Sequence, residues 1–231
     1  MLTAPQFSAD GLRSVLARIE AATRRAGRDS RSVTLLAVSK EQPAAAIRAL
    51  AEAGQREFGE NYLQEAVGKL EALQDLPLQW HFIGQLQGNK TREVAERFQW
   101  VHTVDRERVA FRLSAQRPHY APALQVLLQV KLADERAKGG VSPADLPALA
   151  AAVAALPGLR LRGLMCIPPD STTEAEQRKP FRRLRQLLDD LRSAGHDLDT
   201  LSMGMSGDLE AAILEGATLV RVGTAIFGPR A

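Results

Sequence analysis

The chain has 231 residues, 45% of them hydrophobic and 25% charged, and its 30 Lys and Arg against 27 Asp and Glu leave a formal net charge of only +3. Such a composition excludes disordered, collagen-like and coiled-coil chains, and the length suits one α/β barrel or one doubly wound sheet that needs no staples. The lone cysteine, Cys166, the lack of an apolar run near the ~20 residues of a bilayer span, and charges at Asp10, Arg13, Arg18 and Glu20 where a signal peptide would be apolar point to a cytoplasmic protein without a membrane partner.

No Ser/Gly linker or low-complexity tract divides residues 1–231, which read as a single domain. Short β-rich runs alternate with longer helical patterns. Ser8 is placed to cap an opening helix with Leu12, Val15, Leu16 and Ile19 on one face. The first strand is expected over Val33–Val38, ending at Ser39-Lys40, and a helix over Pro43–Ala53 stops at Gly54. A short strand near Arg56–Phe58 leads into Gly59-Glu60-Asn61 and a helix over Tyr62–Leu73. Trp80–Ile83 and the helix Asn89–Phe98 come next, then Val101–Val104 with Asp105 as N-cap of a helix to Gln116. Leu124–Val130 is the clearest β-like run, and Ser142-Pro143 opens the helix behind it, hydroxyl and first-turn proline both in favoured places.

Leu159–Ile167 is the sixth strand, and the stripe Phe181, Leu184, Leu187, Leu188 and Leu191 marks the helix after it. If that helix starts at the Thr173…Glu176 capping box, it must accommodate Pro180. The basic segment Arg178-Lys179-Pro180-Phe181-Arg182-Arg183 is followed by Asp189-Asp190. Without a basic stripe interleaved with aromatics it reads as a solvated helix face, so no nucleic-acid partner is expected. Asp199–Ser202, a helix over Asp208–Glu215 and a last strand over Thr218–Val222 complete the pattern. Eight strands, each followed by a helix or the chain end, predict an α/β fold: a parallel (β/α)8 TIM barrel with an additional N-terminal helix. A doubly wound sheet competes, because the second and seventh strands are short.

In such a barrel the functional face lies at the carboxyl ends of the strands. Lys40 ends the first strand after the apolar run Leu35–Val38, where desolvation would free its amine to condense with an aldehyde. A lysine there also serves by simply snorkelling to solvent. Ser202-Met203-Gly204-Met205-Ser206-Gly207-Asp208 and Val222-Gly223-Thr224 follow the last two strands, the pair of loops that often holds a phosphate. Ser206 reads either as a phosphate contact or as a helix N-cap, and Asp208 as a competitor for an anion. Arg221 alternates with Val220 and Val222 and so points into the barrel if the valines pack outward; its partner there is either a ligand or a carboxylate such as Glu60. His81 reads as a hydrogen-bonded strand histidine or, as the weaker alternative, an acid–base group, Cys166 as a small core residue, and no ligand spacing marks a metal.

The stretches LLAVSK (35–40), REFGENYLQEAVGK (56–69), WHFIGQLQGNK (80–90), LRGLMCIPP (161–169) and LSMGMSGDLEAAILEGATLVRVGTAIFG (201–228), in this order, closely resemble the YggS/PROSC family of pyridoxal phosphate homeostasis proteins. The resemblance implies a barrel like the N-terminal domain of alanine racemase, with pyridoxal 5′-phosphate held as a Schiff base on Lys40. It also implies phosphate anchoring by Ser206, Gly223 and Thr224 with Ser202 and Met203 nearby, Arg221 against the pyridine nitrogen, and Asn61 beside the cofactor. Gln85, Gly88 and the segment Arg136-Ala137-Lys138-Gly139-Gly140 depart from the family pattern and bear on the third and fifth loops.

An arginine against the ring nitrogen disfavours its protonation and so weakens the cofactor as an electron sink. Alanine racemase adds a tyrosine base from another domain; here the chain ends soon after the last strand, and neither Tyr62 nor Tyr120 sits as such a base. The expectation is therefore a monomeric carrier that buffers the cofactor and hands it to pyridoxal phosphate-dependent apo-enzymes, without catalysis. Competing readings are an amino-acid racemase, a phosphosugar enzyme on the same scaffold, and a plain interaction protein.

Overall fold

The computed structural model describes residues 9–132, 139–169 and 171–228. Strands β1 (Thr34–Val38), β2 (Glu57–Glu60), β3 (Gln79–Phe82), β4 (Trp100–Val104), β5 (Leu124–Gln129), β6 (Leu159–Met165), β7 (Thr200–Ser202) and β8 (Leu219–Val222) lie side by side in chain order, all parallel. The ladder from Thr34↔Leu219 to Ala37↔Val222 joins β8 back to β1 and closes the barrel. That closure decides against the doubly wound sheet, whose first and last strands would be open edges.

Helices α2 (Ala44–Glu52), α3 (Leu63–Ala72), α4 (Thr91–Arg97), α5 (Glu107–Gln116), α6 (Leu146–Ala154), α7 (Glu174–Ser193), α8 (Leu209–Leu214) and the short α9 (Thr224–Phe227) follow the strands, and α1 (Ala9–Arg25) precedes them. Outward strand residues such as Ala37, Phe58, Val101, Val126, Val220 and Val222 pack against the helices in one continuous core. Inside the barrel the apolar filling is sparse, a separate cluster of Leu36, Ile83 and Leu219. Leu127 and Met165, fully buried and outside both clusters, alternate with outward residues and add to it, and much of the rest of the interior is polar. Alternation puts Glu57, His81, His102, Ser202 and Arg221 inward from their strands.

Helix α7 starts at Thr173, whose hydroxyl accepts from the Glu176 amide at 3.3 Å, and runs through Pro180. All five residues of its predicted stripe are buried, and the proline is absorbed at the loss of one backbone hydrogen bond. Helix α1 departs from expectation at Leu16, 46% exposed, while Thr23 takes the buried place. At 100° per residue Leu16 falls at the margin of the arc centred on Leu12, Val15 and Ile19. Asp105 does not cap α5: the N-cap is Arg106, without a side-chain bond, and Asp105 pairs with it at 2.6 Å. The predicted cap Ser8 lies outside the described residues.

Candidate functional site

A cavity of about 400 Å³ opens at the carboxyl end of the barrel, and its wall includes Lys40, Asn61, Ser206, Arg221, Gly223 and Thr224. Six of the eight residues singled out in the sequence therefore meet around one space. Ser202 and Met203 do not line it. Ser202 ends β7 with its side chain fully buried beneath Arg221, and Met203 points the other way into the sheet–helix core. Sequence reasoning does not single out Met205 or the apolar wall of Val38, Ile83 and Ile167. Strand alternation carries the signal for Val38 and Ile83, since both lie in register with inward neighbours.

Lys40 is half-buried and, among the described residues, has no hydrogen-bond or ion-pair partner. The backbone on either side of it is pinned. Lys69 Nζ donates to the Ser39 carbonyl at 2.7 Å and to Glu60 Oε1 at 2.9 Å, and also bonds to Glu65. Ser39 Oγ donates to Glu60 Oε1 at 2.6 Å, and the Glu41 amide donates to Glu65 Oε1 at 2.5 Å. Glu41 holds φ +63, a left-handed conformation that costs a non-glycine residue roughly 1 kcal/mol or more and that this clamp enforces. Burial pushes the Glu60 carboxyl up, opposed by its bonds to Lys69 and Ser39. Glu60 thus belongs to the Lys40 clamp and is not the partner of Arg221.

Asn61 follows β2 on the cavity wall, and its buried Oδ1 has no hydrogen-bond partner among the described residues. Its backbone is fixed by close approach: a Cβ on Gly84 would fall on the Asn61 carbonyl, so that position of the third loop admits only glycine. The turn Met205–Asp208 contributes Met205, Ser206 and Gly207 to the same cavity wall. The Ser206 and Gly207 amides have no hydrogen-bond partner among the described residues. Ser206 is not the cap of α8. That place is taken by Asp208, whose Oδ1 accepts from the Met205 amide at 2.5 Å and so stays turned back on its own loop. Helix α1 holds the loop from outside, Arg18 donating to the Ser206 carbonyl at 2.9 Å while paired with Glu210.

Arg221 is 4% exposed and does point into the barrel. Its Nη1 donates to Ser202 Oγ and its Nη2 to the Cys166 carbonyl, both at 2.9 Å. Burial lowers its pKa from the usual arginine value, yet a guanidinium keeps its proton, and the residue itself forms part of the cavity wall. The Cys166 thiol is pushed up to about 12 by burial, which leaves it an inert core group. Among the described residues no cluster of His, Cys, Asp and Glu could hold a metal ion, and no helix is long and apolar enough to cross a membrane.

The model of the alanine racemase N-terminal domain family matches residues 12–231. The pyridoxal phosphate homeostasis protein of Pseudomonas aeruginosa is 60% identical over 222 residues, 96% of this chain and 95% of that one. The chain belongs to this family. Its Escherichia coli member, also named a pyridoxal phosphate homeostasis protein, is 52% identical over 225 residues, covering 96% of both chains. The solved structure of PipY from Synechococcus elongatus with pyridoxal phosphate bound is 43% identical, with a TM-score of 0.81 over 93% of this chain and all of that one. Alanine racemase from Corynebacterium glutamicum shares the fold alone, at 17% identity and a TM-score of 0.68 over 95% of this chain and 62% of that one.

Proposed function

We propose that the cavity holds pyridoxal 5′-phosphate, its aldehyde condensed with the Lys40 amine to an imine with loss of water, and that the protein buffers the cofactor and delivers it to apo-enzymes. The observation that carries the reading is an unpaired amine in a cavity whose wall also offers hydroxyls at Ser206 and Thr224 and free amides at Ser206 and Gly207. The donor set suits the group. The two loops supply neutral donors to a phosphate, Asn61 offers an oxygen without a hydrogen-bond partner among the described residues, and Arg221 has N–H groups to spare for a bare ring nitrogen. Apolar Val38, Ile83 and Ile167 suit the faces of a ring.

Bound pyridoxal phosphate supplies a reversible carbonyl: water or an incoming amine reverses the imine, which suits storage and transfer. Two features support a carrier over a catalyst. The arginine disfavours ring protonation, and neither Tyr62 nor Tyr120, 53% and 82% exposed, lines the cavity as a second base. The reading keeps the protein a monomer in the cytoplasm, which a buried lone thiol suits.

Purified protein incubated with pyridoxal phosphate should absorb as an imine, and borohydride should fix the cofactor to the peptide carrying Lys40. A Lys40→Ala protein that still gave a reducible imine would overturn the assignment to this residue. Lys90 lies outside the cavity wall in a short 3₁₀ turn, so labelling there would be such a result; Lys138 lies outside the described residues. Amino-acid turnover lost in Lys40→Ala would instead establish an enzyme.

A further inference from the structure

Five side chains from five strands form one file through the barrel. Glu57 Oε2 lies 2.6 Å from His81 Nε2, His81 Nδ1 lies 2.9 Å from His102 Nε2, and His102 Nδ1 lies 2.9 Å from Ser202 Oγ. Arg221 Nη1 completes it, donating to the same Ser202 oxygen at 2.9 Å. The two ends open on different spaces: Arg221 on the upper cavity, Glu57 on a second cavity of about 280 Å³ at the amino end of the barrel, beside Trp100, Arg162 and Asp199. We propose that Glu57, His81, His102 and Ser202 are positioning residues for Arg221, a one-way chain of donors that sets the guanidinium for a ring in the upper cavity and helps to balance its charge from the far end of the barrel.

The direction follows from the donor inventory. A guanidinium only donates, so Ser202 Oγ accepts from Arg221. Burial lowers both histidine pKa values, with Glu57 opposing this at His81, so two neutral rings, each with one donor and one acceptor nitrogen, occupy the middle. With Glu57 ionised, its oxygen accepts from His81 Nε2–H, and His81 Nδ1 must then accept. His102 Nε2–H donates to it, and His102 Nδ1 accepts the Ser202 hydroxyl. Every site is filled and every proton points away from Arg221. Reversing the file would give Ser202 Oγ two N–H donors and leave its own hydroxyl proton without this acceptor.

The frame around the file keeps both rings in place. Trp100 stacks on His81 with ring centroids 5.3 Å apart and interplanar angle 5°, and meets His102 edge-on. Arg162 lies over the Trp100 ring but is itself paired with Asp199 at 2.5 Å, so it leaves the Glu57 carboxylate to His81. Among the described residues no carboxylate is hydrogen-bonded to Arg221, whose partners are Ser202 and the Cys166 carbonyl, while the Asp208 carboxylate acts on it through space. A buried cation so placed requires compensation, and the ordered dipoles ending on Glu57 add to what Asp208 supplies.

The role assigned to the file rests on the reading of the upper cavity as a pyridoxal phosphate site, but the file itself does not. Ring-nitrogen NMR of the ligand-free full chain near pH 7 should show both His81 and His102 protonated at Nε2 and bare at Nδ1. Glu57→Gln, at a partly exposed position, should disturb the His102 signals across the intervening ring, and Glu57→Asp should restore them. With pyridoxal phosphate, Glu57→Gln should shift the pH profile of the bound cofactor's absorption and weaken binding roughly tenfold, although Glu57 lies outside the upper cavity. His102 protonated at Nδ1 in the wild-type chain, or unmoved in Glu57→Gln, would overturn the chain of donors. Intact tautomers with an unchanged absorption profile would overturn only its action on the ring, and loss of the imine from Lys40 would be read separately in Lys40→Ala.

Discussion

Lys69 Nζ lies 2.7 Å from the carbonyl oxygen of Ser39, the residue immediately before Lys40. A lysine on α3 therefore positions a lysine on the β1 loop without touching the space that second lysine faces. Lys69 is itself 6% exposed and shared between Glu60 and Glu65. Two lysines in one neighbourhood thus divide the work: one holds charge and geometry, the other keeps its amine free of partners.

Replacing Lys69 by Met preserves much of its volume but leaves the fully buried Glu60, among the described residues, with Ser39 alone as hydrogen-bond partner. Removing one member of a buried pair costs about 3–5 kcal/mol, so the urea midpoint of Lys69→Met should fall sharply. The strained Glu41 turn should relax at the same time, and imine formation with pyridoxal phosphate should slow even where the variant is folded. A midpoint equal to wild type would show that the clamp contributes nothing.

The two loops that share the cavity with Lys40 should act together on the phosphate. Thr224→Val removes a hydroxyl and keeps the branched shape, and Ser206→Ala removes the other. A hydrogen bond to a charged group is worth about 1.5–3 kcal/mol, so each change should weaken pyridoxal phosphate binding tenfold or more, whereas pyridoxal, lacking the phosphate, should bind the variants as it binds wild type. Equal losses for both ligands, read by absorbance titration, would place the phosphate elsewhere.

Glu215 ends α8 with 1% of its side chain exposed and accepts from Arg178 at 2.7 Å and Arg182 at 2.9 Å, with Arg185 at 3.5 Å. Burial raises its carboxyl pKa, but the arginines, Arg182 foremost, outweigh it and the net direction is down. A folded-state pKa below the unfolded one means that the native state binds fewer protons in between. Its stabilisation is therefore present above the ordinary carboxylate range, about pH 4.3, and is lost as pH falls through the folded value. Glu215→Gln should cost about 1–3 kcal/mol at pH 7, and its deficit against wild type should shrink in urea titrations from pH 5 to 3. A deficit constant across that range would exclude the linkage.

The barrel was legible because its strands, buried on their outer faces by helices, read as short apolar runs between helical stripes. Lys40 and the last two loops were legible because lysine, glycine and hydroxyl residues at strand ends stand out against that background. What escaped was whatever depends on neighbours distant in sequence. The basic face of α7 reads as solvated, yet Arg178 and Arg182 converge on Glu215 from a different helix. His102 carries no local signal, and only barrel closure sets it between His81 and Ser202. Met203 and Met205, two residues apart, part company because the chain leaves strand geometry at Gly204, φ +93, so that one enters the core and the other the cavity.

Gly84 offers a test of how tightly the site depends on backbone approach. A methyl group there would coincide with the carbonyl of Asn61, across the junction of β2 and the third loop, where nothing flexible can yield. Gly84→Ala must therefore push the two segments apart, breaking the register that Glu60↔Phe82 sets and carrying Asn61 away from the cavity. Overpacking of this kind costs about 1–3 kcal/mol or more, so the thermal midpoint should drop by several degrees. Pyridoxal phosphate binding should weaken in the fraction that remains folded. Gly88→Ala, four residues on in the same loop with open space around its Cα, should change neither quantity. Should the two alanine variants melt together, the close approach at Asn61 is not what holds this loop.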